Sequence, residues 1–145
     1  MNQIAVSQQR PQEDIDEIKG KLAPLFNEEG LQLVLLFGSA AAGTVHRESD
    51  IDLGFLFERP ADLLALTNRV IRLLHTDRVD VVDLRRAGPL LNFSVAKKGR
   101  LLYERSKGVY NEFCSLAFRR YVDSKKLRDR RAEVIQRFLE DRGLA

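Results

Sequence analysis

The sequence predicts an α/β (α+β) domain: a small mixed sheet of about four strands flanked by helices, with a helical C-terminal extension. Three observations predict it. Apolar runs at residues 32–37, 51–57, 78–84 and 100–104 have the length and content of strands. Between them, at residues 12–28, at residues 61–75 and again after Gly88-Pro89, apolar residues recur at helical spacing in segments bounded by Gly or Pro. At 145 residues, with 44% hydrophobic and 31% charged content, the chain has the size and composition of one globular domain with a real core.

Residues 1–10 read as an arm. Pro11 suits a first helical position, and Ile15, Ile18, Leu22, Leu25 and Phe26 then fall on one helical face. Pro24 lies inside that pattern, so the helix over residues 12–28 is expected to break near Leu22, restart as a short turn and end at Gly30. It covers one face of the sheet. Strand one, residues 32–37, is nearly all apolar, as in a strand buried on both sides. Residues 39–43 form a short helix start or turn, and residues 44–49 a polar loop. Strand two is followed by Pro60 and a helix whose buried stripe is Leu63, Leu66, Val70 and Leu74, with Leu64 and Ile71. Strand three comes next, then a short helix carrying Leu90, Leu91, Val95 and Ala96 and closed by Gly99, then strand four. The last forty residues are helical in pattern. Their apolar positions are Val109, Phe113, Leu116, Ala117, Phe118 and Tyr121, then Val134, Ile135, Phe138 and Leu139, separated by an almost wholly charged stretch at residues 123–133. Either one long helix projects from the core or two helices meet near Asp123-Ser124.

The formal charge of +3 is unevenly placed. Residues 1–104 hold 13 Lys and Arg against 15 Asp and Glu; residues 105–145 hold 11 against 6. The basic tail suits an acidic protein, nucleic acid or nucleotide phosphates, but its interleaved acids favour a solvated helix face. No aromatic-and-basic platform continues beyond Tyr121, so direct nucleic-acid binding is the weakest option. The first residues lack an apolar leader core, no stretch approaches a membrane span, and the lone Cys114 has no disulfide partner. The expectation is a soluble, cytoplasmic protein without a membrane partner.

The chemistry gathers where strand one ends at Gly38-Ser39 and strand two begins at Asp50-Ile51-Asp52. Alternation along a strand turns Asp50 and Asp52 to one face while Ile51 and Leu53 face the core. Two adjacent carboxylates repel and resist desolvation, and a divalent cation is the simplest compensation. Oxygen ligands without Cys or His suit a hard ion, Mg2+ or Mn2+, which completes its shell with water and substrate phosphate. Glycine allows the backbone close to a phosphate, and the Ser39 hydroxyl with the following N–H groups can donate to it.

Gly38-Ser39, a ten-residue spacer and Asp50-x-Asp52 resemble the signature of the DNA polymerase beta-like nucleotidyltransferases. The spacing, the small size and the Ser49-Asp50-Ile51-Asp52-Leu53 wording most resemble the minimal MNT branch, the antitoxin halves of HEPN/MNT toxin-antitoxin pairs. The resemblance covers roughly residues 31–104. It implies a polymerase beta-like fold and a minimal nucleotidyltransferase domain at residues 1–104; outside it, the basic helical extension at 105–145 carries an apolar stripe that suits either partner binding or packing back across the sheet. It implies catalytic and metal-ligating roles for Asp50, Asp52 and Asp80, phosphate binding at Gly38 and Ser39, two Mg2+ ions with Mn2+ as the alternative, and ATP as substrate. The implied reaction moves AMP from ATP to a tyrosine hydroxyl of a cognate HEPN toxin and silences it. The alternatives are an antitoxin acting by binding alone and a transferase for a small hydroxylated molecule.

Asp83 competes with Asp80 for the third carboxylate. Three positions apart on a strand, the two face opposite ways, so at most one joins the site; periodicity does not rank them, and the resemblance selects Asp80. Family members often carry an arginine where this chain has Ala42, which removes one phosphate contact that Arg47 would have to replace. His46 reads as surface. Arg69 and His75 also fit the R-x(4-6)-H spacing of HEPN ribonucleases, but they lie inside a nucleotidyltransferase pattern and read as coincidence.

Overall fold

A computed structural model describes residues 11–38 and 50–144. Helix α1, Pro11–Leu22, is followed without a gap by a 3-10 turn, Ala23–Asn27, with Pro24 in its first turn. The proline, lacking an N–H, ends one helix and starts the next. Strands β1, Leu31–Phe37, and β2, Ile51–Phe57, are antiparallel neighbours. Helix α2, Leu63–Leu74, then crosses to β3, Val79–Asp83, which lies parallel to β2. Helix α3, Pro89–Lys98, ends at Gly99, and β4, Arg100–Glu104, pairs antiparallel with β1. The sheet order is β3-β2-β1-β4. One unbroken helix, α4, runs from Val109 to Asp141.

β1 is the middle of the molecule. Leu33, Val34, Leu35 and Leu36 are each 0% exposed, because strands flank both edges and helices cover both faces. Each such leucine contributes about 1.5–3 kcal/mol of burial. On one face Val34 and Leu36 join Leu53, Phe55, Val81 and the buried residues of α1 and α2. On the other, Leu33 and Leu35 pack with Leu84, Val95 of α3 and Phe113 of α4. A register shift between Leu31 and Leu33 leaves Gln32 as the extra residue of a β-bulge.

Several details differ from the sequence pattern. In α2 the buried residues are Leu66, Val70 and Leu74, four apart, whereas Leu63 is 40% and Leu64 73% exposed. Both lie in the first turn, capped by the Asp62 side chain accepting from the Ala65 N–H, where the helix has just left the loop. In α3, Leu90 and Leu91 are exposed, while Asn92 and Val95 face the core. The helix starts directly at Pro89, and its inward stripe is set by Val95 rather than by the leucine pair. Of the two courses open to the tail, α4 is the single long helix and not two helices meeting near Asp123-Ser124: Phe113 and Ala117 are buried against the core, while Val122, Leu127, Val134, Ile135 and Phe138 are at least half exposed. Among the described residues no helix is long and apolar enough to cross a membrane.

Candidate active site

Alternation and register together build the site. Asp50 immediately precedes β2, and Asp52 is its second residue. Ile51, Leu53 and Phe55 pack into the core under α1 and α2, which leaves Asp52 on the opposite face. β3 lies parallel with Val79 opposite Ile51 and Asp80 opposite Asp52. In a parallel pair, partners in register project to the same face, so the Asp80 carboxylate stands beside that of Asp52. Asp83 pairs with Phe55 instead, shares the face of Val79 and Val81, and accepts a hydrogen bond from the Arg85 N–H at 3.0 Å. The ambiguity between the two aspartates is thus decided by strand register.

The third wall is the end of β1. Phe37 pairs with Asp52, so Gly38 lies directly beside that carboxylate. Gly38 has φ +71°, a left-handed conformation that disfavours side chains. A Cβ placed there would stand 3.1 Å from Asp52 Cγ and would collide with Oδ2. The glycine is required twice, by the backbone and by the carboxylate against it. Ser39, Ala42, His46 and Arg47 lie outside the described residues.

Electrostatics mark the same point. Burial first, then the charges of Asp80 and Asp50, push the Asp52 carboxyl above its ordinary range. The Asp80 and Asp50 carboxylates thus each act on Asp52, and none of the charges that shift it is cationic. Among the described residues no three acidic, His or Cys side chains converge as a ready-made metal cage. All-oxygen donors still fit a hard cation that takes its remaining ligands from a phosphate chain, and the repulsion felt by Asp52 is what such a cation would relieve.

Other reactive groups lie apart from this chemistry. Burial raises the Cys114 thiol, against a hydrogen bond with Tyr110 that lowers it, so the thiol stays protonated. Arg69 forms an ion pair with Glu28 at 2.6 Å, and His75 is the left-handed C-cap of α2. Their spacing is accounted for by packing and capping. Sequence reasoning missed Gly54: a Cβ on it would meet Leu84 at 2.8 Å, so a bare backbone lets Leu84 close over the sheet two residues from Asp52. A lone glycine inside an apolar strand was the available signal.

A mixed sheet with paired acidic residues at one strand end, a third in register and a glycine against them is the architecture of a nucleotidyl-transfer protein. The family model described as Polymerase beta, Nucleotidyltransferase matches residues 20–108, and the chain belongs to that family. It is similar to the protein adenylyltransferase MntA of Aphanizomenon flos-aquae, 25% identical in an alignment 126 positions long that covers 79% of this chain and 84% of the relative. Among solved structures, a toxin-antitoxin crystallised with AMP-PNP superposes with a TM-score of 0.71 at 30% identity, covering 84% of this chain and 98% of that one. The MNT antitoxin in complex with the tri-AMPylated HEPN toxin of Shewanella oneidensis matches with a TM-score of 0.67 at 26% identity, covering 87% of this chain and 98% of that one.

Proposed function

We infer that the chain is an antitoxin that transfers AMP from ATP to a tyrosine hydroxyl of a cognate HEPN ribonuclease toxin and so neutralises it. The observation that carries this reading is the pairing of Asp52 with Asp80, beside Asp50 and against Gly38. The named relatives, an adenylyltransferase and an antitoxin bound to an AMPylated toxin, support the acceptor.

In the reaction, the acceptor oxygen bonds to the α-phosphorus in line with the leaving group. The bond from that phosphorus to the bridging oxygen breaks, and pyrophosphate departs with the electron pair. Asp50 and Asp52 hold the metal side of the site, and Asp80 orients the acceptor hydroxyl and takes its proton. Bound Mg2+, or Mn2+ in its place, supplies charge neutralisation at the phosphates and lowers the acceptor pKa. Gly38 leaves room for the phosphate chain at the end of β1, and Ser39 donates to it. The rest of catalysis is positioning, which a sheet supplies by holding three carboxylates on adjacent strands. The basic extension, residues 105–145, presents its apolar and cationic distal half to the toxin. The setting is the cytoplasm, where ATP is available.

Intact mass spectrometry tests this. The adjacent gene is first examined for an all-helical R-x(4-6)-H product, and that product is incubated with this chain, ATP and Mg2+. One or more added AMP masses, absent with Asp50→Asn, are expected. A stable complex with no added mass would replace transfer by neutralisation through binding alone.

A further inference from the structure

At the acidic end of the sheet one more charged residue shares the carboxylate face. Arg78 immediately precedes β3, and its carbonyl oxygen accepts from the Ile51 N–H at 2.9 Å, so the ladder between β2 and β3 begins at this residue. Val79 is opposite Ile51 and Asp80 opposite Asp52, and the register carried back by one place sets Arg78 opposite Asp50. Alternation then turns Arg78 to the face of Asp80 and Asp52. Its N–H donates to Thr76 Oγ1 at 3.2 Å, so the backbone is held through its donor as well as its acceptor. The residue is exposed.

The other strand-borne arginine at this end, among the described residues, belongs to the opposite face. Arg100 of β4 is opposite Leu36, which packs under α1 and α2, away from the carboxylates. Arg85 and Arg105 bond to Glu58, just past the far end of β2.

In the AMP-transfer reading, on which this assignment rests, the site has two sides. The phosphate chain lies at Gly38, past the end of β1, and the acceptor meets Asp80 on β3. β2 separates them, so the two sides are about 9.6 Å apart at about 4.8 Å per strand. Arg78 is on the acceptor side, two residues or about 6.6 Å along the chain from Asp80. A bare tyrosine offers a guanidinium no anion there. An acceptor that already bears AMP, like the tri-AMPylated toxin of the Shewanella oneidensis complex, carries a phosphodiester at that place. A guanidinium matches a phosphate with two parallel N–H bonds. The ribose of that AMP spans, from its phosphate to its hydroxyls, a distance comparable to the one between Arg78 and Asp80.

We propose that Arg78 is a positioning residue for repeated transfer: it holds the phosphodiester of an AMP already on the toxin and so brings a ribose hydroxyl of that AMP to Asp80. In this later step the ribose oxygen bonds to the α-phosphorus of a fresh ATP. The bond from that phosphorus to the bridging oxygen breaks, pyrophosphate departs with the electron pair, and Asp80 takes the hydroxyl proton. The first addition, to tyrosine, has no diester for Arg78 to hold and depends on it less.

The test mixes the toxin, the full chain, ATP and Mg2+, and intact masses taken over time give the rates of the first and second additions. The wild type is expected to pass beyond one AMP. Arg78→Ala should lower the ratio of second to first rate about tenfold, the loss expected for one charge-assisted hydrogen bond, and Arg78→Lys, which keeps the charge, should recover part of it. That ratio does not depend on how much of the variant is folded. An unchanged ratio in Arg78→Ala, whether or not both steps slow together, is the mark of a structural role and would overturn the proposal. A wild type that stops at one AMP would also overturn it while leaving the catalytic reading in place; a wild type that adds none would remove both.

Discussion

Gly38→Ala separates folding from chemistry in this protein. The added methyl has two effects of different size. Holding a non-glycine residue at φ +71° costs about 1–2 kcal/mol, which lowers the melting temperature by about 3–8 °C for a chain of this length. The methyl would also stand 3.1 Å from Asp52 Cγ and collide with Oδ2, so the carboxylate must withdraw by at least about 1 Å. A displacement of that size at a reacting centre costs about 100-fold in rate. The expected variant is folded and still forms a complex with its toxin, but transfers AMP about 100-fold more slowly. Circular-dichroism melts, gel filtration of the complex and timed mass spectrometry give the three readouts. Near wild-type transfer would refute the argument that Gly38 and Asp52 share one space. Loss of the fold would refute the estimate that backbone strain is the smaller effect.

Other substitutions probe separate parts of the same reasoning. Burial and the neighbouring Asp80 and Asp50 charges raise the Asp52 carboxyl, so the metal-free folded state holds that proton more tightly than the unfolded chain. The resulting stability is fully present below the ordinary value of 3.8 and is lost as pH rises through the folded value. Asp52→Asn should therefore match or exceed the wild type in stability at neutral pH in EDTA and lack its relative gain on acidification. Solvent screening keeps the difference below about 1 kcal/mol; a wild type that loses ground to the variant as pH falls would contradict the sign. Gly54→Ala forces a methyl against Leu84 and should destabilise by about 1–3 kcal/mol, measured by urea titration. Arg69→Ala breaks an exposed ion pair and should change stability by less than about 1 kcal/mol, with AMP transfer unaltered; a loss of transfer would give Arg69 a functional part that its pairing does not explain.

The sequence pattern reaches as far as local physics does. Asp50 and Asp52 are legible because a period of two follows from strand geometry alone, and the break at Pro24 follows from the missing N–H. Asp80 and Asp83 could be assigned to opposite faces but not ranked, because the choice depends on how β3 slides along β2, a tertiary quantity. Leu64 and Leu90 look inward by composition, yet a helix buries one stripe only, and that stripe is chosen by whichever residues meet the sheet. Asn92 was invisible for the same reason: its burial depends on carbonyl groups of the turn after β3, which supply its partners.

The parallel pairing of β2 and β3 makes the crossover between them a spacer as well as a connection. From Phe57 the chain runs through α2, turns at the left-handed His75 and enters β3 at Val79. The face on which Asp80 emerges depends on how many residues fill that path. A single insertion or deletion that slid β3 by one place would send Val79 or Val81 to the acidic end and turn Asp80 into the apolar layer beneath α2. Many side-chain changes in this segment leave the placement of Asp80 untouched; a change in its length does not.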